Sequence, residues 1–255
     1  MCGLCGFTGE IVDRDAVLEN MTEVITHRGP DSKGFYTDDK ISMGFRRLSI
    51  IDLDNGSQPI YNEDKTLVLM FNGEIYNYKQ LRKELQEKGH VFATDTDSEV
   101  LVHGFEEWRE DLLNRLRGMF GFAIWNRTDE SLFIARDFFG IKPMHYTQVG
   151  GHFLYASEIK SILKFPGFEK KFNYRTLDNY LSFQYAVPPE TFFEGVYCLL
   201  PGHYLWYRDG KVETTRYWEA RFNPDESLTE EQAVDEIEKV FEESVNAHKI
   251  SDVEV

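Results

Sequence analysis

Short β-type runs joined by two-residue turns constrain this chain more than any other feature. Apolar or alternating stretches at Cys2 to Thr8, Gly34 to Tyr36, Ser42 to Ile50, Leu67 to Phe71, Phe120 to Asn126 and Leu132 to Arg136 read as strands. His145 to Tyr155 turns at Gly150-Gly151 and Tyr204 to Trp218 turns at Asp209-Gly210, which marks both as hairpins. Helical patterns lie between the strand groups. Arg14 to Thr26 repeats Val17, Met21, Val24 and Ile25 at helical spacing and stops at Gly29-Pro30. Tyr78 to Lys88 ends at Gly89, Ser98 to Trp108 follows a Thr96-x-x-Glu99 capping box, and Glu158 to Lys164 and Tyr174 to Phe183 complete the set. Tight turns join antiparallel neighbours, whereas parallel strands need long crossovers. The pattern predicts antiparallel sheets in an α+β layered fold rather than a doubly wound parallel one.

At 255 residues and 42% apolar, the chain can bury a sizeable core in one or two domains. Its 44 acidic and 28 basic residues leave a net charge of −16 with no basic cluster, which argues against nucleic acid and anionic membrane surfaces as partners. No apolar run approaches the roughly 20 residues of a membrane span, and the first ten residues do not resemble a signal peptide. Three cysteines in a chain this long fit a reducing compartment, so a cytoplasmic location is expected. Near the end, a Thr229-x-x-Gln232 capping box opens a helix to about Ala247 with an apolar stripe through Ile237, Val240, Phe241 and Val245. Residues 1–222 are expected to form one domain, and 223–255 a linker and the first helix of another.

The chemistry is concentrated at Met1-Cys2-Gly3-Leu4-Cys5-Gly6. Once the methionine is removed, Cys2 carries a thiol and a free α-amine, a nucleophile and a base in one residue. The amine titrates at roughly 7.7 to 8.0 in model peptides, so it can accept the thiol proton near neutrality. Three other readings compete. A zinc half-site at Cys2 and Cys5 lacks matching ligands, because Cys198 is the only other cysteine and the seven histidines are scattered singly. A redox pair would need a preceding strand. An inert, buried Cys2 remains open.

Four further features could join Cys2. Asn72-Gly73 is either a hairpin turn or a pair of donors converging on one oxygen. Arg47 is either a solvated strand-end charge or a bidentate clamp for a carboxylate. Asp97 either favours a helix start or grips an ammonium group, and Glu74 is either a surface strand residue or part of the same contact.

Taken together, these residues resemble the glutaminase domain of class II glutamine amidotransferases, members of the N-terminal nucleophile hydrolases. The likeness runs through Met1-Cys2-Gly3, His27-Arg28-Gly29-Pro30-Asp31, Arg47-Leu48-Ser49-Ile50-Ile51-Asp52, Gln58-Pro59 and Asn72-Gly73-Glu74-Ile75-Tyr76-Asn77. It continues through Thr96-Asp97-Ser98-Glu99-Val100, Gly118 to Ala123, Arg136-Asp137, Gly140-Ile141-Lys142-Pro143, Ala156 to Lys160 and Pro201 to Leu205, and is strongest toward the bacterial type of glutamine-hydrolysing asparagine synthetase. The resemblance implies a four-layer αββα sandwich of two antiparallel sheets, with Cys2 as nucleophile and its α-amine as base. It implies Asn72 and Gly73 as the oxyanion hole, Arg47 on the substrate carboxylate, and Asp97 and Glu74 on its amino end. L-glutamine is the implied substrate. No cofactor or metal is expected for this chain; ATP and Mg2+ belong to a synthetase domain expected as the C-terminal partner, and a homodimer is compatible with the family. Cys5 stands where relatives usually have a small apolar residue, so a Cys2–Cys5 disulfide would be an off switch. Phe45 stands where many have His, which leaves a supporting contact in doubt.

Overall fold

The computed structural model describes residues 1–49 and 56–249, so Ile50, Ile51 and Asp52 of the motif after Arg47 lie outside the described residues. In chain order the strands are β1 (Gly3–Thr8), β2 (Ser32–Thr37), β3 (Ile41–Arg47), β4 (Ile60–Tyr61), β5 (Leu67–Ile75), β6 (Gly118–Asn126), β7 (Ser131–Arg136), β8 (His145–Val149), β9 (His152–Ala156), β10 (Tyr197–Cys198), β11 (His203–Arg208) and β12 (Lys211–Arg216). The helices are α1 (Arg14–Glu23), α2 (Tyr78–Glu87), α3 (Glu99–Trp108), α4 (Ile159–Ile162), α5 (Tyr174–Phe183) and α6 (Glu230–His248). The strands form two six-stranded sheets, ordered β10-β8-β9-β1-β3-β2 and β12-β11-β7-β6-β5-β4. Among the described residues every strand pairing within the two sheets is antiparallel, as the turn chemistry predicts.

Alternation along the strands sorts side chains into three apolar layers. On β5, Leu67, Leu69 and Phe71 pack toward Leu81 and Leu85 of α2 and Val100 to Phe105 of α3, while Val68 and Met70 face the other sheet. On β1, Leu4 faces the space between the sheets, and Cys5 and Phe7 face Val17, Leu18 and Met21 of α1. Successive side chains of a strand point to opposite faces, so each sheet has one helix side and one inter-sheet side. Helices thus cover both outer faces, which gives the αββα sandwich.

That alternation also places the chemistry. Cys2 shares parity with Leu4, Arg47 with Met43 and Phe45, and Asn72 with Val68 and Met70. All three therefore point between the sheets. Cys5 points to the opposite face, is fully buried and pairs its thiol with Thr22 Oγ1 at 3.4 Å, so the disulfide with Cys2 has no path without flipping β1.

Two local readings are corrected. Asn72-Gly73 makes no hairpin turn: β5 runs through it to Ile75, in continuous register with β6 from Leu67↔Asn126 to Ile75↔Gly118. The Thr96-x-x-Glu99 capping box does not form. Helix α3 begins at Glu99 itself, whose carboxylate instead accepts from the Ala93 and Thr94 amides. The capping box at Thr229 and Gln232 is present as predicted.

Candidate active site

Cys2, Arg47, Asn72, Gly73, Glu74 and Asp97 all line one cleft of about 250 Å³ at the end of the inter-sheet layer. Cys2 stands just ahead of β1, Arg47 ends β3, β5 carries Asn72, Gly73 and Glu74, and the loop into α3 brings Asp97.

Burial pushes the Cys2 thiol above its ordinary value; the Leu48 backbone, the terminal amine and Arg47 pull the other way without reversing it. The Leu48 N–H donates to Sγ at 3.3 Å, and the thiol donates to the Leu48 carbonyl at 3.5 Å. The resting group is therefore a thiol that needs a base. No histidine lines the cleft among the described residues. The amine at the front of the chain, that of Met1, is held below its usual value by burial, with Arg28 and Lys142 adding to the effect; the Cys2 nitrogen itself becomes an amine only once Met1 is removed.

Asn72 is 1% exposed, yet its Nδ2 is buried with no hydrogen-bond partner. Leaving such a donor unmet costs about 1–3 kcal/mol, so a fold that retains one is poised to receive an acceptor. Position 73 has to be glycine: a Cβ there would sit 2.1 Å from the Met119 carbonyl oxygen and 2.8 Å from Phe120 Cα. Gln58 sets this end of β5, since its amide donates to the Phe71 carbonyl at 2.9 Å and accepts from the Phe71 N–H at 2.6 Å.

The acidic side of the cleft holds two carboxyls. Asp97 is buried and accepts from the Ile75 N–H at 2.8 Å. Burial, with the Glu74 charge behind it, pushes Asp97 up to about 7, and burial also raises Glu74 against the pull of Lys142. Two acids held up in this way are suited to an incoming cation, which would restore their charge. Arg47, itself buried, supplies the opposite sign across the cleft.

Residues that sequence reasoning left without a role complete the frame. Arg28 donates to the Cys2 carbonyl at 2.8 Å and to Glu158 at 3.0 Å; burial raises Glu158, but Lys160, then Arg28 and His27, hold it at about 2. Ser157 Oγ accepts the Leu4 N–H at 3.0 Å. Gly29 packs where a Cβ would meet the Arg46 and Arg47 backbone at 2.4 to 2.5 Å, so the His27 to Asp31 block closes on the end of β3 through Gly29 and on Cys2 through Arg28. Asp137 accepts the Phe120, Phe139, Ile141 and Lys142 amides and so fixes the loop that puts Lys142 in the cleft. The blocks Arg136-Asp137 and Gly140 to Pro143 signalled this in the sequence. Phe45 is 1% exposed and lines the same cleft.

The cleft thus brings together a thiol at position 2, an unmet amide donor and side chains of both charges. The model of the glutamine amidotransferase domain matches residues 1–218. The chain belongs to the glutamine amidotransferase family. This amidotransferase domain is 41% identical over 261 residues to the glutamine-hydrolysing asparagine synthetase 1 of Bacillus subtilis strain 168, covering 99% of this chain and 41% of the relative. It is 35% identical over 254 residues to the amidase chyE of Penicillium rubens, covering 97% of this chain and 36% of that one. The chain thus spans about two fifths of the length of the curated relatives it matches. The solved glutamine phosphoribosylpyrophosphate amidotransferase of B. subtilis shares the fold, with a TM-score of 0.61 at 19% identity over 86% of this chain and 50% of that chain.

Proposed function

We propose that this amidotransferase domain hydrolyses the side-chain amide of L-glutamine through a thioester on Cys2, and that in a longer protein the ammonia released serves ATP-dependent asparagine synthesis from aspartate. The observation that carries the reading is the buried, unpartnered Asn72 Nδ2 in the same cleft as the Cys2 thiol. After removal of Met1, the free amine of Cys2 takes the thiol proton and sulfur attacks the amide carbon. The oxygen that becomes negative is met by Asn72 Nδ2 and the Gly73 N–H. The protonated amine returns its proton to the departing nitrogen, ammonia leaves, and water cleaves the thioester to glutamate. Arg47 takes the substrate carboxylate, and Asp97 with Glu74 takes its ammonium.

Residues 223–255 belong, in this reading, to the start of the synthetase domain. The stripe of α6 supports it: Ile237, Val240 and Phe241 are each more than three-fifths exposed, an apolar face suited to a further core. Three free cysteines suit a cytoplasmic enzyme. A second reading gives the ammonia to a different acceptor or makes the domain an amidase, and the named relative from Penicillium rubens favours keeping it in view.

Glutamate and ammonia release from glutamine by the Met1-free chain tests the proposal, with Cys2→Ala as control and intact mass to confirm processing. A glutamine-mimicking electrophile should add once, at Cys2. Undiminished release by Cys2→Ala overturns the mechanism, while saturable glutamine binding without turnover or labelling makes the domain a sensor instead.

A further inference from the structure

Two histidines that stand apart in the sequence meet on the helix side of the second sheet, away from the cleft. His90 follows α2, His103 lies on α3, Glu63 sits in the turn between β4 and β5, and Glu106 is three residues beyond His103 on the same face of α3. One ligand atom from each lies within 4.8 Å of the other three. His90 Nδ1 is 3.3 Å from Glu63 Oε1 and 3.9 Å from Glu106 Oε2, and His103 Nδ1 is 3.2 Å from Glu63 Oε2. With metal–ligand bonds of about 2.0 to 2.2 Å, the edge of a tetrahedral site is about 3.3 to 3.6 Å, so the group is close to closing around an ion.

The outward nitrogens decide between a metal and an ordinary salt-bridge cluster. His103 Nε2 faces Glu99 Oε1 at 3.4 Å and His90 Nε2 faces Glu107 Oε2 at 3.7 Å. An imidazole that donates its Nε2 proton to a carboxylate presents a bare lone pair at Nδ1, the tautomer of metal-bound histidine. His103 is 1% exposed, and its Nδ1 is buried with no hydrogen-bond partner although a carboxylate oxygen lies beside it. With the proton held on Nε2 toward Glu99, the Nδ1 lone pair and the Glu63 oxygen are two acceptors facing each other. Protonating both rings instead would put two imidazolium cations 5.2 Å apart, centroid to centroid. A single divalent ion satisfies both nitrogens and neutralises both carboxylates. Those carboxylates are already aimed: Val91 N–H donates to Glu63 at 2.8 Å, and Asn62 donates to Glu106 at 3.2 Å.

We propose that Glu63, His90, His103 and Glu106 bind a divalent transition-metal ion of the Zn2+ type, tying α3 to the β4–β5 turn and to the segment after α2. Four protein ligands leave no open position, so the ion is structural. Its target is the helix whose N-terminal approach carries Asp97. The test uses the full chain freed of metal with a chelator, then titrated with Zn2+ by calorimetry and melted with and without it. One ion should bind per chain, and at 100 times Kd the Tm should rise by about 5 to 10 °C. His90→Ala and Glu106→Gln, both at the more open rim, should each lose at least about tenfold in affinity and most of that rise. Co2+ should give a spectrum without sulfur-to-metal charge transfer. Absence of stoichiometric binding, binding that survives both substitutions, or a thiolate band placing the ion on Cys2 or Cys198 would each overturn the site.

Discussion

Replacing Asn72 by alanine separates activity from stability in a way that an ordinary buried residue would not. In the resting chain its Nδ2 donates to nothing among the described residues, so the substitution breaks no hydrogen bond there. An unmet buried donor costs about 1–3 kcal/mol, and truncating the amide opens a small void worth about 1 kcal/mol. The net is about zero to 2 kcal/mol of gained stability, read as a Tm unchanged or up to about 8 °C higher. The same donor would be used only when the amide oxygen becomes negative, and losing it raises the barrier by about 2.7 to 4 kcal/mol. The expected variant is therefore about 10² to 10³ slower in kcat, with little change in KM. Glutamate release and a melting curve on the same preparation read both quantities. Turnover within about threefold of the parent, or a Tm fall of more than about 5 °C, would show that the amide holds the fold together and refute the reasoning.

The remaining expectations follow from neighbouring groups. Because Asp97 sits at about 7 in the free chain, kcat/KM for glutamine should rise with pH through about 7, and Asp97→Asn should abolish that limb while raising KM; an unchanged profile excludes Asp97 from ammonium binding. The sign for stability is the reverse. The folded chain holds this proton more tightly than the unfolded one, whose value is 3.8, so Asp97 subtracts up to about 4 kcal/mol as pH rises from about 4 to 7, and Asp97→Asn should flatten that slope in urea unfolding. Arg28→Ala frees the Cys2 carbonyl and should lower kcat by about tenfold or more with glutamine KM preserved, and equal kcat would deny its positioning role. Gly73→Ala forces a Cβ against Met119 and should cost about 1 to 3 kcal/mol, checked by the urea midpoint. Cys5, fully buried and pushed up to about 12 by that burial, should stay unalkylated in the native chain while Cys2 reacts.

Much of this architecture was legible because it is written locally. The Gly150-Gly151 and Asp209-Gly210 turns fall where the sequence places them, and α5 spans Tyr174 to Phe183 as its periodicity predicts. What local pattern could not carry was decided by distant partners. Asn72-Gly73 has the chemistry of a turn, but β6 pairs along the whole of β5 and holds it extended. Glu99 has the spacing of a cap, but the Ala93 and Thr94 amides claim it. Strands β4 and β10, two residues each, are too short to show any period. All six candidate site residues line the one cleft: strand parity, implicit in the hydrophobic alternation, aims Cys2, Arg47 and Asn72 there, whereas Asp97 arrives on a loop that no periodicity marks. Arg28, Asp137 and Lys142 were visible only as members of motif blocks, since each acts through a contact across the fold. The convergence of His90 with His103 left no trace in spacing.

The pleat that aims Cys2 inward makes the front of the chain a ruler marked in whole residues. One residue inserted before Leu4 would turn the sulfur toward α1, and two would carry it about 7 Å beyond Asn72. A residue left ahead of Cys2 shifts nothing in that register but keeps the Cys2 nitrogen in a peptide bond, so purification tags belong at the far terminus, and a leader that leaves even a single amino acid behind after cleavage should yield a well-folded, silent protein.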